Sequence, residues 1–473
     1  VTKKSLKISN QEKWVDSIYN KMTLKEKVGQ LFMIAAYSNK DKKHTDSIQK
    51  LIRENGIGGL VFFQGGPVRQ ANQTNLYQAT TKVPLLIAMD AEWGLNMRLD
   101  STVRFPYNMT LGALEDNDLV RKVGEKIGEH ANRLGVHINF APVLDINTNS
   151  KNPIIGVRSF AEDKYNVAEK AIAFTSGMQS KNVLACAKHF PGHGDTDKDS
   201  HKTLPTILLT KERIDSVEMY PYKKLFENDM AGVMVAHLNV PSLESTEGLP
   251  SSLSYNIVSN ILKERLQFKG LIFTDALGMK GVSNFKEPGD VDLAAFKAGN
   301  DVLLMGEDVS KGVSKIIEAY HNKEITEERL AHSVKKILSA KFDVNLNSFK
   351  PIEISNLISD LNDAESDSLN ETVFTNAITA LINKNNTLPL IKENTKIALV
   401  SLGDGDAVPF LNALKESLNI DLLSDFSQQN LLIKLKAYDK VIISYHRLNS
   451  RITAKISNED KVLLEEIAKN NNV

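Results

Sequence analysis

Eight short apolar runs, each followed by a polar stretch and then by residues at helical spacing, set the frame for residues 31 to 305. They are Leu31–Ala35, Gly59–Phe63, Leu85–Met89, Val136–Phe140, Val183–Ala187, Gly232–Ala236, Leu271–Phe273 and Val302–Met305. Runs that are apolar at nearly every position, rather than at alternate ones, fit strands covered on both faces. Between them Asp116–Leu134, Asn166–Gln179, Thr210–Glu227 and Ser254–Leu266 carry helical periodicity. So do Trp14, Ile18, Met22, Leu24 and Val28 before the first run, with a cap predicted at Thr23. Eight such units predict an α/β fold, a (β/α)8 TIM-type barrel over residues 1–345. A doubly wound open sheet is the competing architecture. It would favour a Gly-rich phosphate loop after the first strand, and none is present.

The pattern changes after Lys341. Lys350 to Ser368 is polar, acid-rich and weakly periodic, so residues 346–385 read as a linker, with a helix at Asn370–Leu381. A second alternation follows over residues 386–473. Ile397–Ser401 and Lys440–Ser444 read as strands, Val408–Leu418 and Asn458–Lys469 as helices, and Gly403-Asp404-Gly405 as a plain turn. This is the start of an α/β-sandwich domain, expected to be partial, with the native chain continuing past Val473.

Bulk properties exclude several classes. Lysine plus arginine equals aspartate plus glutamate at 58 each, so no global field favours nucleic acid or an anionic membrane. No apolar run approaches the ~20 residues of a membrane span. Cys186, the single cysteine, rules out an internal disulfide framework and sits in an apolar run, where a buried structural thiol is expected.

Polar residues collect where the runs end. Asp90 and Glu92 follow the third, with Arg98 one loop later; Asp145 and Arg158 lie beyond the fourth. His237 and Asn239 follow the sixth, and Asp275 the seventh. After the fifth comes KHFPGHGDTDKDSH, Lys188 to His201, with three of the chain's ten histidines in fourteen residues. In a barrel all these ends lie at one mouth, where catalysts are carried. Two chemistries fit. His189, His193, His201 and Asp199 could ligate a metal. Alternatively, Asp275 projects from its strand as a carboxylate nucleophile, with His201 as general acid charged and oriented by Asp199. Spacing alone leaves them level.

The segments Leu85-Ile-Ala-Met-Asp90-Ala-Glu-Trp-Gly, Asn139-Phe-Ala-Pro-Val-Leu-Asp145, Pro153 to Phe160, Lys188 to Asp195 and Phe273 to Met279 resemble glycoside hydrolase family 3 in order and spacing. The Lys188–His201 segment resembles its β-N-acetylglucosaminidase branch. The resemblance implies Asp275 as nucleophile and His201 as acid/base partnered by Asp199. It places Asp90, Arg98, Arg158, Lys188 and His189 around the terminal sugar, and His193 as a structural loop histidine. One departure is Trp93 where the family commonly has glycine; it is expected either to stack on a sugar or to fill the rim. The implied reaction is retaining, exo-acting removal of N-acetylglucosamine from peptidoglycan-derived saccharides, with no metal and no cofactor. An exported or periplasmic location is favoured over a cytoplasmic one. A phosphorylase using the same Asp/His pair and a non-catalytic wall-binding barrel are the alternatives.

Overall fold

The protein is described from a computed structural model covering residues 3–196, 198, 203–390, 395–424, 427–447 and 456–470. It divides into two compact units, residues 1–378 and 379–473.

The first unit is built on eight parallel strands: β1 (Phe32–Ala36), β2 (Gly59–Phe62), β3 (Leu86–Met89), β4 (Ile138–Asn139), β5 (Leu184–Phe190), β6 (Gly232–Val235), β7 (Leu271–Thr274) and β8 (Leu303–Leu304). Their order is β7-β6-β5-β4-β3-β2-β1-β8. The ring closes where Thr274 N–H donates to Val302 O and Val302 N–H to Ile272 O, each at 3.0 Å. GLVF, LIAM, GVMV and LIFT are buried at every position, as strands between a barrel interior and a helix layer must be. Phe140 and Phe273 meet edge to face inside this core, 5.6 Å apart.

The helices pack by their apolar stripes. Asn117–Arg133 buries Val120, Val123, Ile127 and Ala131, and lies against Lys164–Gln179. A Cβ at Gly124 would fall 2.2 Å from Phe174 O, and one at Gly177 would fall 2.0 Å from Arg121 O. Those two positions let the helices approach backbone to backbone. Thr23 caps Leu24–Gly29 in a capping box with Glu26.

Three departures from the sequence reading have local causes. β5 runs on through Phe190, so Lys188 and His189 lie on the strand itself, with a register shift between Lys188 and Phe190. The expected helix at 210–227 breaks into Lys211–Arg213, a π turn at Ile214–Glu218, and Tyr220–Phe226, with Pro221 near the start of the last piece. The helix expected from Asn370 begins at Ala364, capped by Asp363, whose carboxylate accepts Ser366 N–H at 2.8 Å. Its acidic first turn, weak in periodicity, suits the positive end of a helix.

Within the first unit, residues 349–378 run back over the barrel's helices. Arg133 donates to Asp360 Oδ2 (2.8 Å), Glu353 O (2.7 Å) and Ser355 O (2.9 Å), and Lys126 donates to Glu365 at 2.6 Å. The second unit holds a parallel sheet of β9 (Ile397–Gly403), β10 (Ile420–Leu423) and β11 (Lys440–His446), ordered β10-β9-β11. Leu431, Leu435 and Ile467 cover one face through Ala398, Val400 and Val441; Leu411 covers the other with Ile397, Leu399 and Ile420. Among the described residues no helix is long and apolar enough to cross a membrane.

Candidate active site

The carboxyl ends of β3 and β5 carry a network of buried charges. Lys188 is 2% exposed, and its Nζ lies 2.7 Å from Asp90 Oδ1 and 2.8 Å from Glu92 Oε1. Arg98 Nη2 donates to Asp90 Oδ2 at 2.6 Å while its guanidinium stands over the Phe63 ring. Arg158 grips Glu92 in a fork, Nη2 to Oε1 at 2.7 Å and Nε to Oε2 at 2.9 Å. Burial alone would push both carboxyls up. For Asp90, Lys188 and Arg98 outweigh it and hold the group well below the usual carboxylate range. For Glu92, Arg158 and Lys188 do the same and hold it at about 2. Burial likewise opposes charge on Lys188 and Arg158, and the facing carboxylates overcome it and raise both.

A second pairing sits beside it. Asp145, fully buried beyond β4, faces His189 Nδ1 through Oδ2 at 2.6 Å and accepts His193 N–H through Oδ1 at 2.7 Å. Burial raises the Asp145 carboxyl, and His189 then His193 pull it back below its ordinary value. With the carboxylate accepting, Nδ1 of His189 carries the proton, which fixes the ring's tautomer. His193 packs edge to face on His189, ring centres 5.9 Å apart, and burial pushes it down to about 4 despite the pull of Asp145.

Asp275 ends β7. Its N–H donates to Val235 O of β6 at 2.9 Å, and its Oδ1 accepts the next peptide N–H, that of Ala276, at 2.8 Å. Its charge acts on both His193 and His237, which places it in the same electrostatic neighbourhood as the β5 loop.

Of the sequence-derived set, the structure joins Asp90, Arg98, Arg158 and Lys188 in one network, with His189 on the same strand as Lys188. Asp199 and His201 lie outside the described residues. Three residues had no assigned role: Glu92, Asp145 and His237. Each is an acid or histidine just past an apolar run, which is the signal available; its partner is not. Trp93 is buried, its ring edge-to-face with Tyr107 at 4.8 Å, so it fills the wall behind the loop. Among the described residues no group of three His, Cys, Asp or Glu side chains is arranged to hold a metal ion. An array of fixed donors and acceptors beside a carboxylate at a strand end suits a ligand rich in hydroxyl groups.

Comparison with known proteins bears on this arrangement. The model of the glycosyl hydrolase family 3 N terminal domain matches residues 23–340. Beta-hexosaminidase A of Pseudoalteromonas piscicida is 31% identical over 326 residues, covering 62% of this chain and 54% of that protein. This chain therefore spans about half the length of that relative. A solved family 3 beta-N-acetylglucosaminidase from Paenibacillus sp. strain FPU-7 superposes with a TM-score of 0.77 at 30% identity, over 94% of this chain and 88% of that one. A beta-glucoside phosphorylase superposes with a TM-score of 0.80 over 96% of this chain and 84% of that one, at 23% identity, a likeness of fold.

Proposed function

Because the chain belongs to glycosyl hydrolase family 3, we propose that it is a retaining exo-β-N-acetylglucosaminidase acting on peptidoglycan-derived saccharides. The observation that carries the reading is the Asp90–Lys188–Glu92 bridge flanked by Arg98 and Arg158. Burying that many charges is costly unless each is paired, and paired they form a rigid template of donors and acceptors. Asp90, Arg98, Arg158, Lys188 and His189 bind the hydroxyls of the terminal sugar. Glu92 holds Lys188 and Arg158 in place, and Asp145 does so for His189. Relatives named for hexosaminidase activity support N-acetylglucosamine as the sugar.

The chemistry takes two steps. Asp275 attacks the anomeric carbon as the bond to the leaving oxygen breaks, and His201 protonates that oxygen. Water then attacks the same carbon, His201 takes its proton, and the Asp275 carboxylate is released. Two inversions give retention. Asp199 orients and charges His201. A neutral imidazole, rather than a second carboxylate, lowers repulsion against the acidic groups of muramic-acid-containing fragments. Water and substrate suffice; no cofactor enters either step.

The test is turnover of a 4-nitrophenyl N-acetylglucosaminide and of an N-acetylglucosaminyl-anhydromuramic disaccharide, with and without phosphate, followed by proton NMR. The expected result is first release of the β-anomer of the free sugar at a rate independent of phosphate. A sugar 1-phosphate would make the protein a phosphorylase; release of the α-anomer would remove the covalent intermediate. No turnover of either substrate would leave a binding barrel.

A further inference from the structure

His237 follows β6, is wholly buried, and is used by nothing in the reaction described above. Its Nε2 lies 2.9 Å from the carbonyl oxygen of Ala276, the residue after Asp275. Its Nδ1 lies 2.7 Å from Ser252 Oγ. A carbonyl only accepts, so Nε2 carries the proton, and Nδ1 therefore accepts the Ser252 hydroxyl hydrogen. Ser252 is held in turn, because Asn300 Nδ2 donates to its carbonyl oxygen at 2.8 Å and to Ala295 O at 2.7 Å. The chain of bonds ends at the carboxylate: the N–H of that same Ala276 donates to Asp275 Oδ1.

We propose that His237 is a positioning residue for the nucleophile. Its Nε2–H, kept on that nitrogen by Ser252, anchors the Ala276 carbonyl so that the Ala276 N–H holds the Asp275 carboxylate in the orientation for attack. The inference rests on the reading of Asp275 as nucleophile. Burial holds the ring below its ordinary pKa, in keeping with a neutral donor rather than a second cation beside the carboxylate. A neutral donor one residue away leaves the Asp275 charge, and hence its nucleophilicity, intact. It restricts rotation of the side chain, which is where near-attack geometry is won or lost.

The experiment compares the full chain with His237→Gln, His237→Leu and Ser252→Ala. For each it measures covalent trapping by a 5-fluoro-N-acetylglucosaminyl fluoride, the site of the label by mass spectrometry, the dissociation constant for N-acetylglucosamine, and the thermal midpoint. Label on Asp275 in the wild type with trapping slowed ~10²-fold in His237→Leu, and sugar affinity unchanged, is the expected result. Ser252→Ala removes one of the two bonds that hold the tautomer and should slow trapping ~10-fold, the worth of one neutral hydrogen bond. His237→Gln, which restores a donor near Nε2, should recover most of the rate. Label on Asp275 with unchanged rates in folded His237→Leu and Ser252→Ala overturns the inference. So does equal loss in the Gln and Leu variants accompanied by loss of sugar affinity, the mark of a packing role. If His237→Leu does not fold, Ser252→Ala decides by its rate alone. Label on another carboxylate in the wild type overturns the Asp275 reading itself, a result no rate comparison can mimic.

Discussion

His189 Nδ1 lies 2.6 Å from Asp145 Oδ2, and both groups are buried. The carboxylate comes from beyond β4 and the imidazole from β5, 44 residues later, so one barrel seam fixes the pair. Because Asp145 also accepts the His193 N–H, it ties the orientation of the His189 ring to the chain that leaves β5 at His193. Among the described residues the other ring nitrogen of His189, Nε2, takes no protein hydrogen bond. Under the proposed function it is the nitrogen that meets the sugar.

Asp145→Asn should uncouple these functions with little change in volume. The amide no longer demands a proton on Nδ1, so the two tautomers of His189 become closer in energy and Nε2 changes character in part of the population. Loss of one charge-assisted hydrogen bond predicts a fall of ~10–10²-fold in kcat/KM. Steady-state kinetics on a nitrophenyl hexosaminide checks it, and an unchanged kcat/KM would show that the tautomer of His189 does not matter.

Under the proposed mechanism Asp275→Asn removes the attacking charge, and it leaves the Asp90–Lys188–Glu92 network unaltered. Turnover should drop by at least ~10⁴-fold, while N-acetylglucosamine binds with the wild-type constant in calorimetry. Retention of activity above that level would place the nucleophile elsewhere.

Much of the fold was legible because each strand is a local apolar run with a local polar stop. Leu271 to Thr274 followed by Asp275 needs no distant information to be read as a strand end bearing a carboxylate. Lys188 is the opposite case. A lysine normally ends a buried strand, and here β5 continues through it because Asp90 and Glu92, nearly a hundred residues earlier, neutralise it. Nothing local to Lys188 announces that compensation. Glu92 and Asp145 were visible as acids at strand ends, yet their task, holding other site residues, exists only in three dimensions. The strand Ile420–Leu423 was missed as a named element for a related reason. It is four residues long with an exposed Asp421, and only pairing with β9 makes it a strand.

Glu92 also predicts how the protein meets acid. Its carboxyl falls from an ordinary 4.5 to about 2 on folding. A depressed pKa gives stability that is complete above the unfolded value and is lost as pH falls through the folded one. The window is therefore about pH 4.5 down to about 2, and the group contributes ~3 kcal/mol above it. Glu92→Gln should be several kcal/mol less stable at pH 7, since it also leaves Arg158 and Lys188 short of an anion. The gap from wild type should narrow as pH drops through that window. Urea unfolding of both proteins at intervals between pH 7 and 2 measures it, and a gap independent of pH would detach Glu92 from the acid transition.

Lys341 makes the opposite contribution from a different part of the unit. It is fully buried, with Nζ 2.5 Å from Gln30 Oε1, and burial pushes it from 10.5 to about 7. The nearby His137 is itself pushed down to about 3, by burial and then by Lys341, and its Nδ1 accepts the Ile87 N–H, so it stays neutral throughout the range in question. Between about pH 7 and 10.5 the unfolded chain holds a proton on Lys341 that the folded chain does not. Stability must therefore rise with pH across that window, by an amount on the order of 4–5 kcal/mol, and level off above it. Lys341→Met keeps the length of the side chain and removes the titration. The difference in unfolding free energy, wild type minus variant, should climb from pH 7 to 10.5, with the variant at its greatest relative advantage at the neutral end. A flat difference across those pH values would mean that the lysine keeps its proton in the folded protein.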